Sequence, residues 1–465
     1  MSKDTKEVGK ERRPRTGGRA ARRAMVACVA ILACQAMLAM PAAHASEGRG
    51  RGIERPASQF GADVPVEWAR LLYDRIRFER LSPPVASRLI GYAEVALYEA
   101  VAPGMPDHRS LGGQLNGLAP LPQPDAHAKY HWPSVANSTL ADTLRGHLVG
   151  ASAATLDAID ALEQRFAGEF SNATPPQVLA RSVAQGRSVA SALLAWAAAD
   201  GFAALNNCPY TPPVGDGLWV RTPPAFAPPL QPCWGGLRPF ALPTADACAP
   251  PPPPSYSTDP ASAFYAEGQE VYDTVKDLTT EQRETALYWS DDPGRTGTPP
   301  GHSLMIAAEV IEAQGLALDT AAEAFARVGI AVADAFISCW RAKYVHNLLR
   351  PVTYSQSVLG DPAWTPILTT PPFPEYTSGH SVQSGAAAEV LTDQFGALAF
   401  TDVTEADLGF APRSFDDFFA AAHQAAISRL YGGIHFRSAI DRGVEQGVCV
   451  GRTLLDRVHF RAQDE

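Results

Sequence analysis

The sequence predicts an all-α fold that is interrupted by an irregular, proline-rich segment at about residues 201–260. From Val64 to about Asp200, Ala, Leu and Val recur at the three- and four-residue steps of helices. Helical patterns resume near Ala261 and continue to the end of the chain, and strand-like alternation is scarce. We therefore expect one helical domain over residues 46–465.

Residues 1–45 predict a cleavable export signal. Basic residues dominate up to Arg23, residues 24–40 are apolar and uncharged, and Ala43-His44-Ala45 offers a small-x-small cleavage pattern. A membrane anchor is the alternative, but the apolar run is short for a bilayer span. We expect a periplasmic or extracellular protein that has no membrane span once the signal is removed.

The charge balance argues against nucleic acid and anionic membranes as partners. The signal carries nine basic and three acidic residues, so its removal changes the formal net charge from −10 to −16. An acidic protein repels polyanions. If it binds a small anion, its positive charge must be clustered locally.

The segment between Val64 and Asp200 predicts four or five helices, separated by turn signals such as Ser82-Pro83-Pro84 and Ala102-Pro103-Gly104. The proline-rich segment that follows is expected to be irregular but ordered, because its large aromatic side chains favour burial. These aromatics are Trp219, Phe226 and Trp234.

Five cysteines follow the signal, and disulfides persist outside the cytoplasm. Cys233 and Cys248 flank a Pro/Gly-rich stretch, which makes them the expected pair. Cys339 and Cys449 lie in apolar helical runs and are expected to be buried thiols. We see no Cys/His grouping typical of zinc.

A first candidate motif lies on a helix that is expected to open at Thr320 with a capping box to Glu323. Its apolar stripe leads through Trp340 to Lys343. Seven residues make nearly two helical turns, so Arg350 is expected on the same face, and a proline at 351 should end the helix. Two buried cations need an anion between them, unless they reach solvent or structural carboxylates.

A second candidate motif runs from Phe373 to His380 and precedes a helical pattern. Ser378 and Gly379 would stand at the helix entrance, where free N–H groups favour an oxyanion. His380 can exchange protons near neutral pH. The alternative is an ordinary Ser378 N-cap followed by a surface histidine.

A third candidate motif follows a helix that is expected to open at Ser414. Its buried stripe continues to Arg429, whose charge should therefore point inward. Gly432-Gly433 breaks this helix, and His435 lies near the start of the next. The three motifs form one oxyanion site if their helices converge.

The spacing within these motifs resembles the three-part signature shared by vanadium-dependent haloperoxidases, type 2 phosphatidic-acid phosphatases and bacterial acid phosphatases. The matching segments are Lys343-(six residues)-Arg350-Pro351, Ser378-Gly379-His380 and Ser428-Arg429-(three residues)-Gly433-Ile434-His435. The resemblance implies two packed four-helix bundles with the site at the end of one bundle.

The resemblance also implies a role for each matching residue. Three cations, Ser378 and the Gly379 amide would bind a vanadate or phosphate; the cations are Lys343, Arg350 and Arg429. His435 would bind vanadium directly, or would attack phosphorus in a phosphatase. His380 would be the acid/base residue on the opposite side.

Two departures from the family pattern stand out. The aspartate that often lies four residues after the second histidine is replaced by Ala439, and Asp441 cannot simply substitute for it. The partner of His435 is therefore open, and a backbone carbonyl is one candidate. Thr377 stands where many relatives have proline, which is expected to be harmless.

The chain resembles bacterial iodoperoxidase-like proteins more than phosphatases, through its size, Trp340 and Phe373, although plain core packing is an alternative for both aromatics. The resemblance implies that hydrogen peroxide and a halide, iodide first, are the substrates, with Lys343 polarising the peroxide.

A periplasmic phosphatase with a phosphohistidine and a protein that only holds phosphate are the alternatives. His302 could line the pocket mouth or be structural. Oligomeric state and halide selectivity stay open.

Overall fold

The computed structural model describes residues 55–463, which are mostly helical. The helices are α1 (Asp63–Phe78), α2 (Pro83–Val101), α3 (Trp132–His147), α4 (Ala153–Ser171), α5 (Pro176–Ala198), α6 (Phe202–Leu205), α7 (Ala263–Lys276), α8 (Thr280–Tyr288), α9 (Thr298–Ala313), α10 (Leu318–His346), α11 (Pro351–Ser357), α12 (Gly379–Phe395), α13 (Phe418–Tyr431) and α14 (Arg437–Arg457). Two short antiparallel strands form a hairpin, β1 (Phe400–Asp402) and β2 (Arg413–Phe415). The predicted all-α class is confirmed.

The first five helices occupy the region where four or five were predicted. Two prolines at 83 and 84 lie in the first turn of α2, where a missing N–H costs no intrahelical bond. Helix α2 packs against α3 and α10, and α3 packs against α5.

The proline-rich segment is largely irregular, as expected. Trp219 and Trp234 are buried in it, but Phe226 is 56% exposed, so the prediction of its burial was wrong. Phe226 has a left-handed backbone with φ of 47°. It lies in a surface turn, and local composition does not reveal whether a side chain in such a turn points to the core or to solvent.

The predicted Cys233–Cys248 pair is wrong. Cys233 pairs with Cys208 inside the segment, and Cys248 pairs with Cys449 of α14 across 201 residues. Cys449 is therefore not a free thiol, whereas Cys339 is buried and free as predicted. The second bridge ties the end of the irregular segment to the last helix, a tertiary neighbourhood that sequence proximity does not reveal.

Helix α10 is the long central element and contacts α2 on one side and α12 on the other. It begins at Leu318 without a side-chain cap, so the predicted capping box at Thr320 was wrong. Glu323 instead lies buried inside the helix. Its carboxylate accepts from Arg327 at 3.0 Å and from Arg461 at 2.8 Å, which leaves it unavailable as a cap.

The C-terminal helices carry the second and third motifs. Helix α13 begins at Phe418, where the Asp417 carboxylate accepts from the Ala420 N–H at 2.7 Å. Ser414 belongs to β2, so the helix start predicted there was wrong. Helix α12 packs closely on α14, since a Cβ at Gly447 would lie 2.1 Å from the Val382 carbonyl oxygen. Within residues 55–463, no helix is long and apolar enough to cross a bilayer.

Candidate active site

Lys343 lies in the last turn of α10 and is completely buried. Its ammonium donates to three carbonyls of the loop before α12, at 3.2 Å to Pro374, at 2.9 Å to Glu375 and also to Thr377. Burial lowers the pKa of Lys343 to about 8. The lysine therefore fixes this loop and holds a weakly compensated positive charge beneath it.

Arg350 reaches the same place by a route that differs from the expected one. Helix α10 ends at His346 because Asn347 is left-handed with φ of 47°, so Lys343 and Arg350 do not share a helix face. Arg350 has an extended backbone, φ −86° and ψ 154°, as expected of a residue before proline. The prediction of a shared face was wrong, while the prediction that both cations are buried holds.

The Arg350 guanidinium is buried with one nitrogen free of partners. Its Nε donates to the Phe373 carbonyl at 2.9 Å, and Nη1 donates to the Ile434 carbonyl at 2.8 Å and lies 3.2 Å from His435 Nε2. Its Nη2 is buried without a hydrogen-bond partner. Burial lowers the pKa of Arg350 to about 10. An unsatisfied buried donor of this kind calls for an acceptor.

Arg429 supplies the third cation from α13, 1% exposed. Its Nε donates to the Ser428 hydroxyl at 2.9 Å, and Nη2 donates to the Trp289 carbonyl. Burial lowers the pKa of Arg429 to about 10, which Asp291 and Asp292 partly oppose. The inward direction predicted for this side chain is what the structure shows.

Ser378 and Gly379 lie at the entrance of α12. Ser378 is the N-cap residue, and its hydroxyl accepts from the Ser381 N–H at 3.4 Å. A Cβ at Gly379 would lie 3.7 Å from Trp340 and 3.9 Å from Phe336, which are ordinary contacts with two residues of the cavity wall. The protein itself does not exclude a side chain there, so the space in front of Gly379 is open to a bound group.

His435 follows α13 and is buried, with each ring nitrogen in contact with an ionisable side chain. Its Nδ1 lies 2.8 Å from Glu375 Oε1, and its Nε2 lies 3.2 Å from the Arg350 guanidinium. Since a guanidinium only donates, Nε2 must accept and Nδ1 must carry the hydrogen. Burial, together with Arg350 and Lys343, holds the pKa of His435 well below its ordinary value. The ring is thus a neutral ligand whose Nε2 lone pair lies among the cations.

Glu375 is the partner of His435 that sequence reasoning missed. Its Oε1 also accepts from the Phe436 N–H at 2.8 Å. Burial raises the pKa of Glu375 to about 8, against the lowering effect of Arg350 and Lys343. The backbone carbonyl considered from the sequence is not the partner, and Asp441 is exposed on α14. The one signal in the sequence was a glutamate inside the second motif, between Pro374 and Tyr376.

His380 lies in the first turn of α12, and its Nε2 is 3.2 Å from the Asp291 carboxylate. Burial and Arg429 lower the pKa of His380 to about 4, although Asp291 raises it. The alternative was right about Ser378, which is an ordinary N-cap, but wrong about a surface histidine, because the His380 ring belongs to the cavity wall and has an acidic partner.

A cavity of about 230 Å³ lies at the centre of the site, and Lys343, Arg350 and Ser378 are not part of its lining. Gly379, His380, Arg429 and His435 line its polar end. Trp340 and Phe373 line the apolar side, with ring centroids 4.9 Å apart. His302, a possible pocket residue from the sequence, lies fully buried behind Asp291 and is not part of this lining.

The Phe373 ring also supports the two cations beside it. The Lys343 ammonium lies 5.1 Å and the Arg350 guanidinium 4.9 Å from its centroid, within the range of cation–π attraction. Arg429, the helix entrance at Gly379 and a neutral imidazole nitrogen therefore face one cavity, and Lys343 and Arg350 lie buried directly behind its Phe373 and His435 wall. This arrangement can hold a tetrahedral oxyanion and bind its central atom through His435 Nε2.

Comparison with known proteins agrees with this geometry. A family model described as the VCPO second helical-bundle domain matches residues 323–464. The structure of the first bacterial vanadium-dependent iodoperoxidase is 37% identical, with a TM-score of 0.81, over 87% of this chain and 98% of that chain. A search of curated proteins gave no match.

Two further structures share the fold at low identity. The holo form of a bacterial vanadium-dependent chloroperoxidase is 15% identical, with a TM-score of 0.65, over 85% of this chain and 97% of that chain. An apo form of such an enzyme is 16% identical, with a TM-score of 0.61, over 80% of this chain and 93% of that chain.

Proposed function

The chain belongs to the vanadium-dependent haloperoxidases, enzymes that oxidise halide with hydrogen peroxide, and from that premise we propose that it is an iodide peroxidase with vanadate bound through His435. The observation that carries the proposal is the environment of His435 Nε2. This nitrogen is a lone-pair donor of fixed tautomer, surrounded by buried cations that need an anion.

The residues of the site fit vanadate. The free Arg350 Nη2 is a buried donor that awaits an oxygen, and the space before Gly379 is open to one. Lys343, Arg350 and Arg429 would neutralise the oxyanion, while the Ser378 hydroxyl and the Gly379 amide would add hydrogen bonds. Bound vanadate would activate peroxide as a Lewis acid without changing its own oxidation state. Phosphate has the same shape and charge type and would compete for the site.

The protein side chains then have distinct tasks. Lys343, whose ammonium is held by three loop carbonyls, would add positive charge behind the bound oxyanion and so favour electron withdrawal from the O–O bond. His380 lines the same cavity as His435 and would relay from solvent the proton that halide oxidation consumes. Glu375 keeps the His435 hydrogen on Nδ1, so that Nε2 remains a ligand.

Iodide is the favoured halide for a physical reason. Trp340 and Phe373 form an apolar side of the cavity, so an incoming halide must lose part of its hydration there. Iodide is the largest and most weakly hydrated of the common halides and the easiest to oxidise. The 37% identity to a bacterial iodoperoxidase supports the same choice.

We also propose that the protein acts outside the cytoplasm. Two disulfides, one of them joining segments 201 residues apart, are typical of proteins that fold in an oxidising compartment. The predicted signal at residues 1–45 lies outside the described residues. The sequence pattern there and the disulfides support export together.

A paired assay tests the proposed function. The purified protein is freed of phosphate and incubated with or without orthovanadate, and peroxide-dependent iodide oxidation is measured beside hydrolysis of p-nitrophenyl phosphate. We expect vanadate-dependent iodide oxidation, with bromide and chloride slower. His435→Ala should abolish it, whereas His423→Ala, a surface change on α13, should not. Efficient phosphate release inhibited by vanadate, without iodide oxidation, would contradict the proposal.

A further inference from the structure

A chain of buried, ionisable side chains continues from His380 away from the cavity. His380 Nε2 is 3.2 Å from Asp291 Oδ2, and Asp291 Oδ1 is 2.9 Å from His302 Nδ1. On the far side, His302 Nε2 is 2.9 Å from Asp402 Oδ2. The chain thus joins the entrance of α12, the turn before α9, α9 itself and the end of β1 through direct contacts.

His302 is an imidazolium in this chain. Both of its ring nitrogens face carboxylate oxygens, and a neutral ring could donate to only one of them. Burial alone would lower the pKa of His302, but Asp402 and Asp291 raise it well above its ordinary value. Trp289 stacks on the ring with centroids 4.4 Å apart, which fixes the orientation of its plane.

Further groups face His302 from the elements packed around it. Glu405 Oε1 lies 3.9 Å from Nδ1 and accepts from the Tyr73 hydroxyl at 3.3 Å. Tyr288 donates to the Asp402 carbonyl at 3.3 Å, and Glu309 accepts from the Val403 N–H at 3.1 Å. Burial raises the pKa of Glu405 to about 7 and that of Glu309 to about 8. The charge on His302 is therefore balanced mainly by its two aspartate partners.

The same cluster has the spacing of a cation site, since ligand atoms of Asp291, His302 and Glu405 lie within 4.8 Å of one another. A metal would require an unprotonated nitrogen on His302. Both nitrogens are already held by carboxylates, and this makes the protonated ring the cation of the cluster.

The backbone at Asp291 is consistent with a functional constraint. Its φ of 51° is left-handed, a conformation that non-glycine residues adopt at a cost. Its carboxylate is fully buried, and its two oxygens contact His302 and His380. His302 holds the pKa of Asp291 well below its ordinary value even though burial raises it. Asp291 is thus an ionised acceptor placed behind the cavity wall.

We propose that Asp402, His302 and Asp291 form a positioning chain that holds the His380 ring with its Nε2–H on Asp291 and leaves Nδ1 for the cavity. The proposal deepens the proposed function and rests on it for the role of His380. In halide oxidation, iodide gives two electrons, the O–O bond of hydrogen peroxide breaks, one oxygen bonds to iodine, and the other leaves as water with one added proton. His380 Nδ1, which carries no hydrogen at rest, takes this proton from solvent and passes it to the leaving oxygen.

The chain offers variants that separate positioning from packing. Asp291→Asn keeps the shape and tolerates the left-handed backbone, since Asn adopts it readily. His302→Gln removes the buried positive charge that reaches the cavity residue His380 only through Asp291. Glu309→Gln is the matched control, because it changes a carboxylate on α9 that lies outside the chain of contacts. If His302→Gln fails to fold, Asp402→Asn keeps the shape and takes its place.

The first readout needs neither vanadate nor turnover. In vanadate-free protein labelled with ¹⁵N in the histidine rings, NMR should show His380 as the Nε2–H tautomer and His302 protonated on both nitrogens. His302→Gln and Asp291→Asn should give mixed tautomers at His380, and Glu309→Gln should give the native spectrum. An Nδ1–H tautomer of His380 in the native protein, or a neutral His302, would overturn the proposal.

The second readout uses the loaded enzyme. His302→Gln should lower kcat for iodide oxidation about 10- to 100-fold with KM for iodide within about twofold, since a misplaced acid/base residue loses much of its contribution. The double variant with Asp291→Asn should be no worse than Asp291→Asn alone, because His302 acts through Asp291. Additive losses would overturn the proposal. A native protein that oxidises no halide yet keeps the NMR pattern would overturn only the proposed function.

Discussion

Replacing Glu375 by alanine tests how the site keeps His435 as a ligand. In the native structure, Oε1 of Glu375 accepts from His435 Nδ1 and from the Phe436 N–H, each at 2.8 Å. Both donors are buried, so alanine leaves two hydrogen atoms without acceptors and removes the carboxyl group beside Lys343 and Arg350.

The size of the effect follows from these two contacts. A buried donor that loses its partner costs about 1–3 kcal/mol. Two such donors predict a decrease of about 2–6 kcal/mol in the free energy of unfolding of the vanadate-free protein. Loss of a partner behind a metal-binding histidine typically costs about 10- to 100-fold in metal affinity, so vanadate should bind more weakly by about that factor.

Two measurements and two further variants check these expectations. Urea unfolding of the vanadate-free protein gives the stability, and titration of iodide oxidation with vanadate gives the affinity. Glu375→Gln retains an amide oxygen that can accept from Nδ1, so its vanadate affinity should stay within about tenfold of native. Glu94→Gln is the control, since Glu94 is also fully buried with a pKa of about 8 but packs against Gly329, about 21 Å along α10 from Lys343.

An alanine variant with native stability and native vanadate affinity would refute the reasoning. It would mean that the Nδ1 hydrogen finds another acceptor at no cost, and that Glu375 does not set the tautomer. A loss of stability without loss of vanadate affinity would refute only the role of Glu375 in holding His435 as a ligand.

Three further predictions concern the buried cation Lys343, the entrance of helix α12 and the longer disulfide. With a pKa of about 8, Lys343 is charged below that pH and loses its charge above it, so the affinity of the vanadate-free protein for sulfate should fall as pH rises through 8. Lys343→Met should weaken this dependence in calorimetric titrations, and Glu375, whose pKa is also about 8, accounts for what is left. Gly379→Ala should fold normally, because its Cβ would lie at an ordinary 3.7 Å from Trp340. The variant should nevertheless bind vanadate at least tenfold more weakly in the activity titration. Native affinity would show that the anion does not use the space in front of Gly379. Removing the Cys248–Cys449 bridge by double alanine substitution should cost about 5 kcal/mol in urea unfolding by loop entropy, more than removing the shorter bridge; equal losses would contradict this.

The sequence was a good guide where function depends on local spacing. The helix entrance at Ser378 and the inward direction of Arg429 follow from patterns that repeat within one or two turns, and both are present in the structure. Arg350 shows the limit of such reasoning. Its burial was predicted from a helical face, but the chain leaves the helix at Asn347 and returns the side chain to the site through a loop. A continued helix and a loop would both bury the Arg350 side chain, and hydrophobic periodicity could not distinguish between them.

The residues that the sequence did not reveal act from loops and across long separations. Glu375 lies 60 residues from His435, and Asp291 lies 89 residues from His380. Neither stands in a repeating pattern, and both are single carboxylates among many in an acidic chain. The disulfide between Cys248 and Cys449 was hidden for the same reason, because only the packed structure brings the two segments together.

The functional and the structural interpretation of the buried cations turn out to describe the same side chains. Lys343 donates to three carbonyls of the loop at residues 374–377, and Arg350 donates to the carbonyls of Phe373 and Ile434. These carbonyls lie beside both histidines of the site, so the cations that would neutralise the oxyanion also hold its two histidine-bearing segments together. Neutral carbonyls satisfy the donors but not the charge. The three cations are therefore fixed in place before the anion arrives, and the anion adds charge balance once the Arg350 hydrogen bond to His435 Nε2 gives way to it.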